Sequence, residues 1–372
     1  MATKRLFFID ALRAFAILMM LQGHFVSGLL ANEYRDKSNW IYATWEYFRG
    51  NTAPVFFTVT GFVFIYLLLK KQDPEYIKQR IKKGVKRALQ VLFWAYFLRF
   101  NLQMLIGYGY TEFMRVDVLN CIAISLLLLI GIYKLFQKFH LRFLQNFFLL
   151  LGIVIFMFEP WHEQLHFDFL PTFLQNYIDM NTHSIFTIFP WFGYVCIGAF
   201  LGIFFITNKI EKYTKTAWML IVYGALLMFA SSPLFEFLFE ETGISLFNGI
   251  AINNYLFIRL GNVFVTVAII MLLERFLKNK TFLLIGQKTL TVYIVHFVIL
   301  YGSWFGLSLY RFLFNSLNPW AVTIGAIIFM ALVCYLTLNM PEYKVAAIKF
   351  IKSKMSPKLK RRLAKIRTKT FL

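Results

Sequence analysis

Residues 5–30 read RLFFIDALRAFAILMMLQGHFVSGLL, an apolar run long enough to cross a bilayer that nevertheless carries Asp10, Arg13 and His24. A spanning helix needs about 20 mainly apolar residues. A charged side chain at membrane depth costs about 2.5–3.5 kcal/mol on insertion scales, so such groups usually serve a cavity or a pathway. Arg13 and His24 are eleven residues apart, close to a whole number of helical turns. At about 1.5 Å per residue they lie roughly 16 Å apart along one stripe. Asp10 sits one turn before Arg13, near that stripe. One helix therefore presents a charged end and, deeper in, an imidazole. The run is too polar and too long for a removed signal peptide and is expected to be a retained span.

The rest of the chain repeats the apolar theme. The 372 residues are 59% hydrophobic with mean hydropathy +0.63, the composition of an integral membrane protein. Further apolar runs fall at 53–70, 88–106, 116–136, 143–158, 184–206, 217–238, 255–277, 282–304 and 319–340. The expectation is an all-α polytopic membrane protein, about ten transmembrane helices in one bundle. With the N-terminus in the cytoplasm, the inner segments hold 30 of the 39 Lys and Arg residues. The outer segments hold Arg35, Lys37, Arg49, Arg115 and Arg311. Positive charge marks the cytoplasmic side, so both termini are placed there, in a plasma or inner membrane.

The net charge of +21 then calls for no nucleic-acid partner. Residues 344–372 form a basic cytoplasmic tail that anchors topology or rests on anionic lipid headgroups. Cys121, Cys196 and Cys334 all fall in expected spans, which argues against a disulfide framework or a cysteine metal site. Internal repeats are not evident.

Two constellations can carry chemistry. A neutral His24 near the outer side can act as a general base, although a lone histidine in a span can equally be a packing residue. In YIKQRIKKGVKRALQ, residues 76–90, Arg80, Lys83 and Arg87 recur at three- and four-residue spacing and share a helix face. Such a face suits a phosphate-bearing ligand; the plainer reading is a solvated positive-inside loop. Arg99, Asp117, Arg259 and His296 are further polar groups in or beside the spans. They stand as acceptor-side or structural residues, with an Arg–Asp pairing among them lowering the cost of burial.

Several segments together resemble the integral-membrane acyltransferases, both the type-3 acyltransferases and the heparan-α-glucosaminide N-acetyltransferase group. FIDALRAFAILMMLQGHF carries their Arg–ten residues–His spacing. APVFFTVTGFVF follows their second helix, with Thr60 where Ser is usual before Gly61. RVDVLNCIAISLLLL, FPWFGYVCIGAFLG and LLIGQKTLTVYIVH match later helices in the same order. The resemblance implies a transmembrane acyltransferase domain over residues 1–343. It would move an acyl group, acetyl in the first instance, from cytoplasmic acyl-CoA to the oxygen or nitrogen of a sugar or glycan on the far side. No permanently bound cofactor is implied. Arg80, Lys83 and Arg87 would hold the nucleotide phosphates, His24 would be the base or form an acyl-histidine, and Arg13, which would help receive the donor, and Asp10 would complete the catalytic group with it. Two departures stand out. The type-3 Arg-x-x-Arg reads Arg80-x-x-Lys83 here, which keeps charge but loses bidentate geometry. The glucosaminide enzymes place their active histidine in the first outer loop, and residues 25–52 contain none.

Two other classes compete. Charged spans also suit a transporter. In the outer loop, His162-Glu163-x-x-His166 has the spacing of a zinc-hydrolase helix. It lies between Pro160 and Pro171 with no clear third-ligand helix, and the expectation is no metal. The aromatic residues Trp161, Phe167, Phe169 and Tyr177 of that loop are placed near an acceptor entrance, where the family resemblance implies that they would stack on sugar rings.

Overall fold

A computed structural model describes residues 6–71, 73–102, 104, 109–208 and 213–354, with side chains given up to residue 340, Phe305 excepted. Lys4, Arg5, Lys209, Lys212 and residues 355–372 of the basic tail lie outside the described residues. Every regular element among the described residues is helical.

The chain opens with α1 (Phe7–Leu29). After a short turn, Asn39 caps α2 (Trp40–Arg49) by accepting from Ile41 N–H. Then come α3 (Thr52–Leu69) and α4 (Pro74–Arg99), the latter started by Pro74 and by the Asp73 carboxylate accepting from Tyr76 N–H. Next are α5 (Tyr110–Met114) and α6 (Val118–Phe136), whose N-terminus is a capping box of Asp117 and Asn120. The middle of the chain holds α7 (Leu141–Met157), α8 (Glu159–His162), α9 (Thr172–Ile178) and α10 (Ile188–Thr207). There follow α11 (Thr214–Phe229), α12 (Ser231–Thr242), α13 (Ser245–Ile252) and α14 (Tyr255–Leu272). The last are α15 (Lys280–Gln287), α16 (Thr289–Tyr301), α17 (Leu309–Leu313) and α18 (Pro319–Lys354). The last helix runs unbroken across residues 343 and 344, where the charge changes.

Among the described residues each of the ten apolar runs overlaps one helix or a bent pair of helices, with residues 103, 105 and 106 of the third run outside the described residues, but ten spans are not established. Among the described residues, six stretches are long and apolar enough to cross a membrane: Phe7–Leu29, Trp40–Leu69, Tyr110–Phe136, Ile188–Thr207, Tyr255–Leu272 and Pro319–Met340. Two bent pairs, α11 with α12 (50°) and α15 with α16 (77°), raise the number to eight if each is one span. The remaining runs fall short for physical reasons. The first half of α4 is basic and only its second half is apolar. Helix α7 has 17 residues, about 26 Å against a hydrocarbon core of about 30 Å.

Small residues set the closest packing. A Cβ on Gly61 of α3 would lie 2.0 Å from the Val195 carbonyl oxygen, and one on Gly198 of α10 would lie 1.9 Å from that of Thr58. Glycine at both positions lets α3 and α10 touch along their backbones, the usual device where lipid supplies no hydrophobic drive between helices. Gly224 and Gly261 do the same for α11 and α14. Helix α1 is the seam of the bundle. Its first half, with Phe8, Ile9 and Leu12, packs into a cluster built on α3, α10 and α14. Its second half, with Ile17, Leu21, Phe25 and Leu29, packs with α4, α16 and α18.

The break between α15 and α16 is tied down residue by residue. Gly286 abuts Asp10, where a Cβ would be 2.0 Å from the carbonyl oxygen. The Gln287 amide donates to Asp10 Oδ2 at 3.3 Å. Lys288 donates to the Thr337 and Leu338 carbonyls of α18. Arg13 donates to Thr289 Oγ1 at 3.1 Å. The sequence GQKT thus anchors the bend to both neighbours.

Candidate functional site

A cavity of about 600 Å³ runs between α1, α3, α4, α6 and α16. At one end its wall holds Arg80, Lys83 and Arg87 of α4. Glycine at position 84, between them, makes room: a Cβ there would meet the Phe64 ring at 2.6 Å. Arg13 and Thr289 follow along the wall, then His24, Asp117 and Tyr293, and Arg49 lies at the other end. The two histidine-side and phosphate-suited constellations of the sequence therefore face one continuous space.

Asp10 stands behind Arg13. Its carboxylate is 3.9 Å from the guanidinium, and Asp10 does not line the cavity. Arg99 and Asp117 form an ion pair at 3.0 Å, both largely shielded. The same Asp117 oxygen accepts from the Tyr293 hydroxyl at 2.9 Å, while its other oxygen accepts from Val118 N–H. Arg99 also donates to the Arg115 carbonyl. A buried carboxylate supplied with a cation and two donors recovers much of the cost of leaving water.

Arg259 is not a cavity residue. It donates to the Tyr47 carbonyl and to Asn51 Oδ1, and its guanidinium lies 4.7 Å from the centre of the Tyr47 ring. A Cβ on Gly50 would run into it at 2.5 Å. Arg259 therefore clasps the α2–α3 turn.

His296 is fully buried and meets His24: Nε2 of His296 lies 3.4 Å from Nδ1 of His24, across 272 positions of sequence. Tyr293, one turn earlier on α16, packs its ring against His296 with centres 4.8 Å apart. Tyr293 is not among the site residues that the sequence singles out. Its signal was present in TVYIVH, where three-residue spacing puts the phenol and imidazole on one face.

Helix α2 brings two more groups to α1. Trp45 donates to Gln22 Oε1 at 2.8 Å. The Arg49 stem crosses Gly23, whose absent Cβ would lie 3.3 Å from its Cγ. The Arg49 guanidinium sits over Trp45 and has no carboxylate partner among the described residues.

The loop after α7 corrects one alternative. Helix α8 ends at His162 with Glu163 as its C-cap, so His166 does not continue its face. The His162 ring stacks on Phe189 at 4.3 Å, and His166 turns toward the Gln164 carbonyl. Burial lowers the His162 imidazole below its ordinary value, against the pull of Asp179. No group of three His, Cys, Asp or Glu residues suited to a metal occurs among the described residues. Asp179 instead ties the loop. Burial alone would raise its pKa, but N–H groups of Asn181 and Phe167 and the Gln175 amide outweigh this and hold it below the ordinary value. Tyr177 turns inward, sharing its hydroxyl with Tyr96 at 2.8 Å and accepting from Asn120. None of Trp161, Phe167, Phe169 and Tyr177 lines the cavity; Phe186 and Trp191, just beyond the loop, do.

Fold and site together define a polytopic helical membrane protein whose intramembrane cavity joins a basic cluster to a buried histidine pair. The family model described as heparan-alpha-glucosaminide N-acetyltransferase, catalytic, matches residues 5–241. That is well over half of the chain, which belongs to this family. No curated protein matches it. The matched segment ends in α12, so Thr289 and Tyr293, which line the cavity, and His296, which meets His24, all lie beyond it.

Proposed function

We propose that the chain transfers an acyl group, acetyl first among candidates, from cytoplasmic acyl-CoA to a sugar or glycan acceptor on the opposite side of the membrane. The observation that carries the reading is the single cavity joining Arg80, Lys83 and Arg87 to His24. Positive charge on one helix face suits the phosphates of coenzyme A, and the narrow pantetheine arm suits a passage between helices. Family membership supports acetyl transfer as the reaction class.

Direct transfer assigns His24 the role of general base. His24 removes the acceptor proton as the acceptor oxygen or nitrogen bonds to the thioester carbonyl carbon. The tetrahedral intermediate then breaks its C–S bond. The leaving thiolate takes the proton from His24, which returns to its neutral form. Arg13, held by Thr289 and backed by Asp10, stands between the basic cluster and His24. There it steadies the donor's path rather than the reacting atoms.

The test is acetyl transfer in proteoliposomes, with labelled acetyl-CoA inside and glucosamine plus a panel of amino and neutral oligosaccharides outside. Loss of a general base typically lowers rate by about 10²–10⁴. His24→Ala is expected to bind coenzyme A normally and to lose transfer by at least about a hundredfold. Near-normal turnover in the folded variant would remove His24 from the chemistry. A protein that moves substrate without consuming acetyl-CoA would be a transporter.

A further inference from the structure

We infer that His296 is a positioning residue: it accepts the Nδ1 proton of His24 and thereby leaves the Nε2 lone pair of His24 facing the cavity. The inference rests on the proposed role of His24 and specifies how that role is set.

A neutral imidazole carries one proton on one of two nitrogens, and the partner of each nitrogen decides which. His24 Nδ1 points at His296 Nε2, 3.4 Å away. That is long for a hydrogen bond, as contacts at catalytic groups without substrate often are. Two arrangements fit this contact. If His296 donates, His24 keeps its own proton on Nε2 and offers the cavity a donor. If His24 donates, its Nε2 is free and offers the cavity a base.

The role proposed for His24 chooses between them. A base needs its lone pair on the nitrogen that faces the cavity, and His24 Nδ1 faces His296 instead. The proton of neutral His24 therefore sits on Nδ1, and His296 Nε2 accepts it, with the proton of neutral His296 on its own Nδ1. The His296 ring is fully buried, and its Nδ1 has no hydrogen-bond partner among the described residues. His24 lines the cavity while His296 does not, so the free edge of the His24 ring is the one that faces substrate.

The surroundings hold this arrangement still. Tyr293, a turn away from His296, is fixed to Asp117, which is fixed to Arg99. The N-terminus of α16 is held at Thr289 by Arg13. These contacts fix the stretch of α16 that carries His296. When His24 takes the acceptor proton, its Nδ1–H···Nε2 contact becomes charge-assisted and strengthens. The Nδ1 proton stays on His24 throughout, and the proton taken up at Nε2 passes to the leaving thiolate.

Three variants of the full chain separate this role from packing. In His296→Gln, Oε1 reaches the position of Nε2 and can accept from His24. In His296→Asn the amide is too short. His296→Leu offers no acceptor. Transfer from labelled acetyl-CoA is measured with the panel acceptor that the unaltered protein acetylates best, alongside coenzyme A binding. Leu and Asn are expected to lower kcat by about a hundredfold with unchanged donor KM, and Gln to restore most of it. Equal losses in Gln and Leu, or near-normal kcat in Leu, overturn the inference, as does loss of coenzyme A binding in all three. ¹⁵N spectra of histidine-labelled protein, with His24 assigned by difference from His24→Ala, give a readout apart from activity. The proton of His24 is expected on Nδ1, and finding it on Nε2 overturns the proposal. An inactive His24→Ala with an active His296→Leu would sink this inference alone. An active His24→Ala would sink the role of His24 beneath it.

Discussion

Gly286 brings the backbones of α15 and α1 into contact beside the charged end of the cavity. A Cβ there would lie 2.0 Å from the Asp10 carbonyl oxygen and 2.9 Å from Ala14 N, and backbone atoms cannot swing aside. Gly131 in α6 is the natural control, since a Cβ there meets nothing within 4 Å. Overpacking typically costs about 1–3 kcal/mol, whereas glycine to alanine in an open helix interior gains up to about 1 kcal/mol. Gly286→Ala is therefore expected to lower Tm in detergent and Gly131→Ala to hold or raise it. Equal behaviour of the two would mean that the α1–α15 contact does not bear on stability. The sequence singled out the LLIGQKTLTVYIVH segment as a matching helix, but the partner of each polar residue in GQKT is on another helix and could not be read from it.

At the scale of the element, α4 joins two duties in one helix of 26 residues. Its basic first half turns Arg80, Lys83 and Arg87 to the cavity, while Lys78 and Lys82 are exposed and do not line it. Arg80→Gln with Lys83→Gln is expected to raise the donor KM strongly. Lys78→Gln with Lys82→Gln removes the same charge and is expected to leave donor KM near its starting value. Equal effects would trace the change to the general field of the helix, and no effect in either would return the stretch to a topology signal. The three-and-four spacing was legible in the sequence because it is a property of one helix. Its orientation toward the cavity depends on α3 and α6, against which α4 packs around Gly84. The zinc-type spacing failed for the same local reason in reverse: α8 ends after His162, so the spacing never becomes a shared helix face.

For the whole molecule, the charge distribution predicts that the α4 end of the cavity faces the cytoplasm. In a cysteine-free background, Phe169→Cys is expected to react with an impermeant maleimide from outside, and Lys78→Cys and Lys138→Cys are not. Phe169 is 79% exposed, so access at that site is not limited by burial. The reverse pattern would invert the bundle and the donor side with it. Lys138 adds a test of α7, which separates it from Phe169. If those two sites react alike, α7 does not span and the number of crossings falls. A helix short by a few ångströms can still cross by local thinning of the bilayer at modest cost, so labelling decides what length does not.

The sequence by itself determined the all-helical membrane character, the positions of the apolar runs and the family. Those follow from hydropathy, charge and short spacings, which are properties of contiguous residues. It also marked His24, Arg13 and the Arg80–Arg87 face, because each shares a periodicity within a single helix. Only the tertiary structure decided that Asp117 joins Arg99 to Tyr293, that Arg259 clasps a turn instead of lining the cavity, and that His296 meets His24. Those pairings lie between different helices, and all but Arg99–Asp117 join parts of the chain far apart in sequence. They are set by where glycines let backbones close and where the α15–α16 bend is tied, neither of which leaves a periodic trace along the chain.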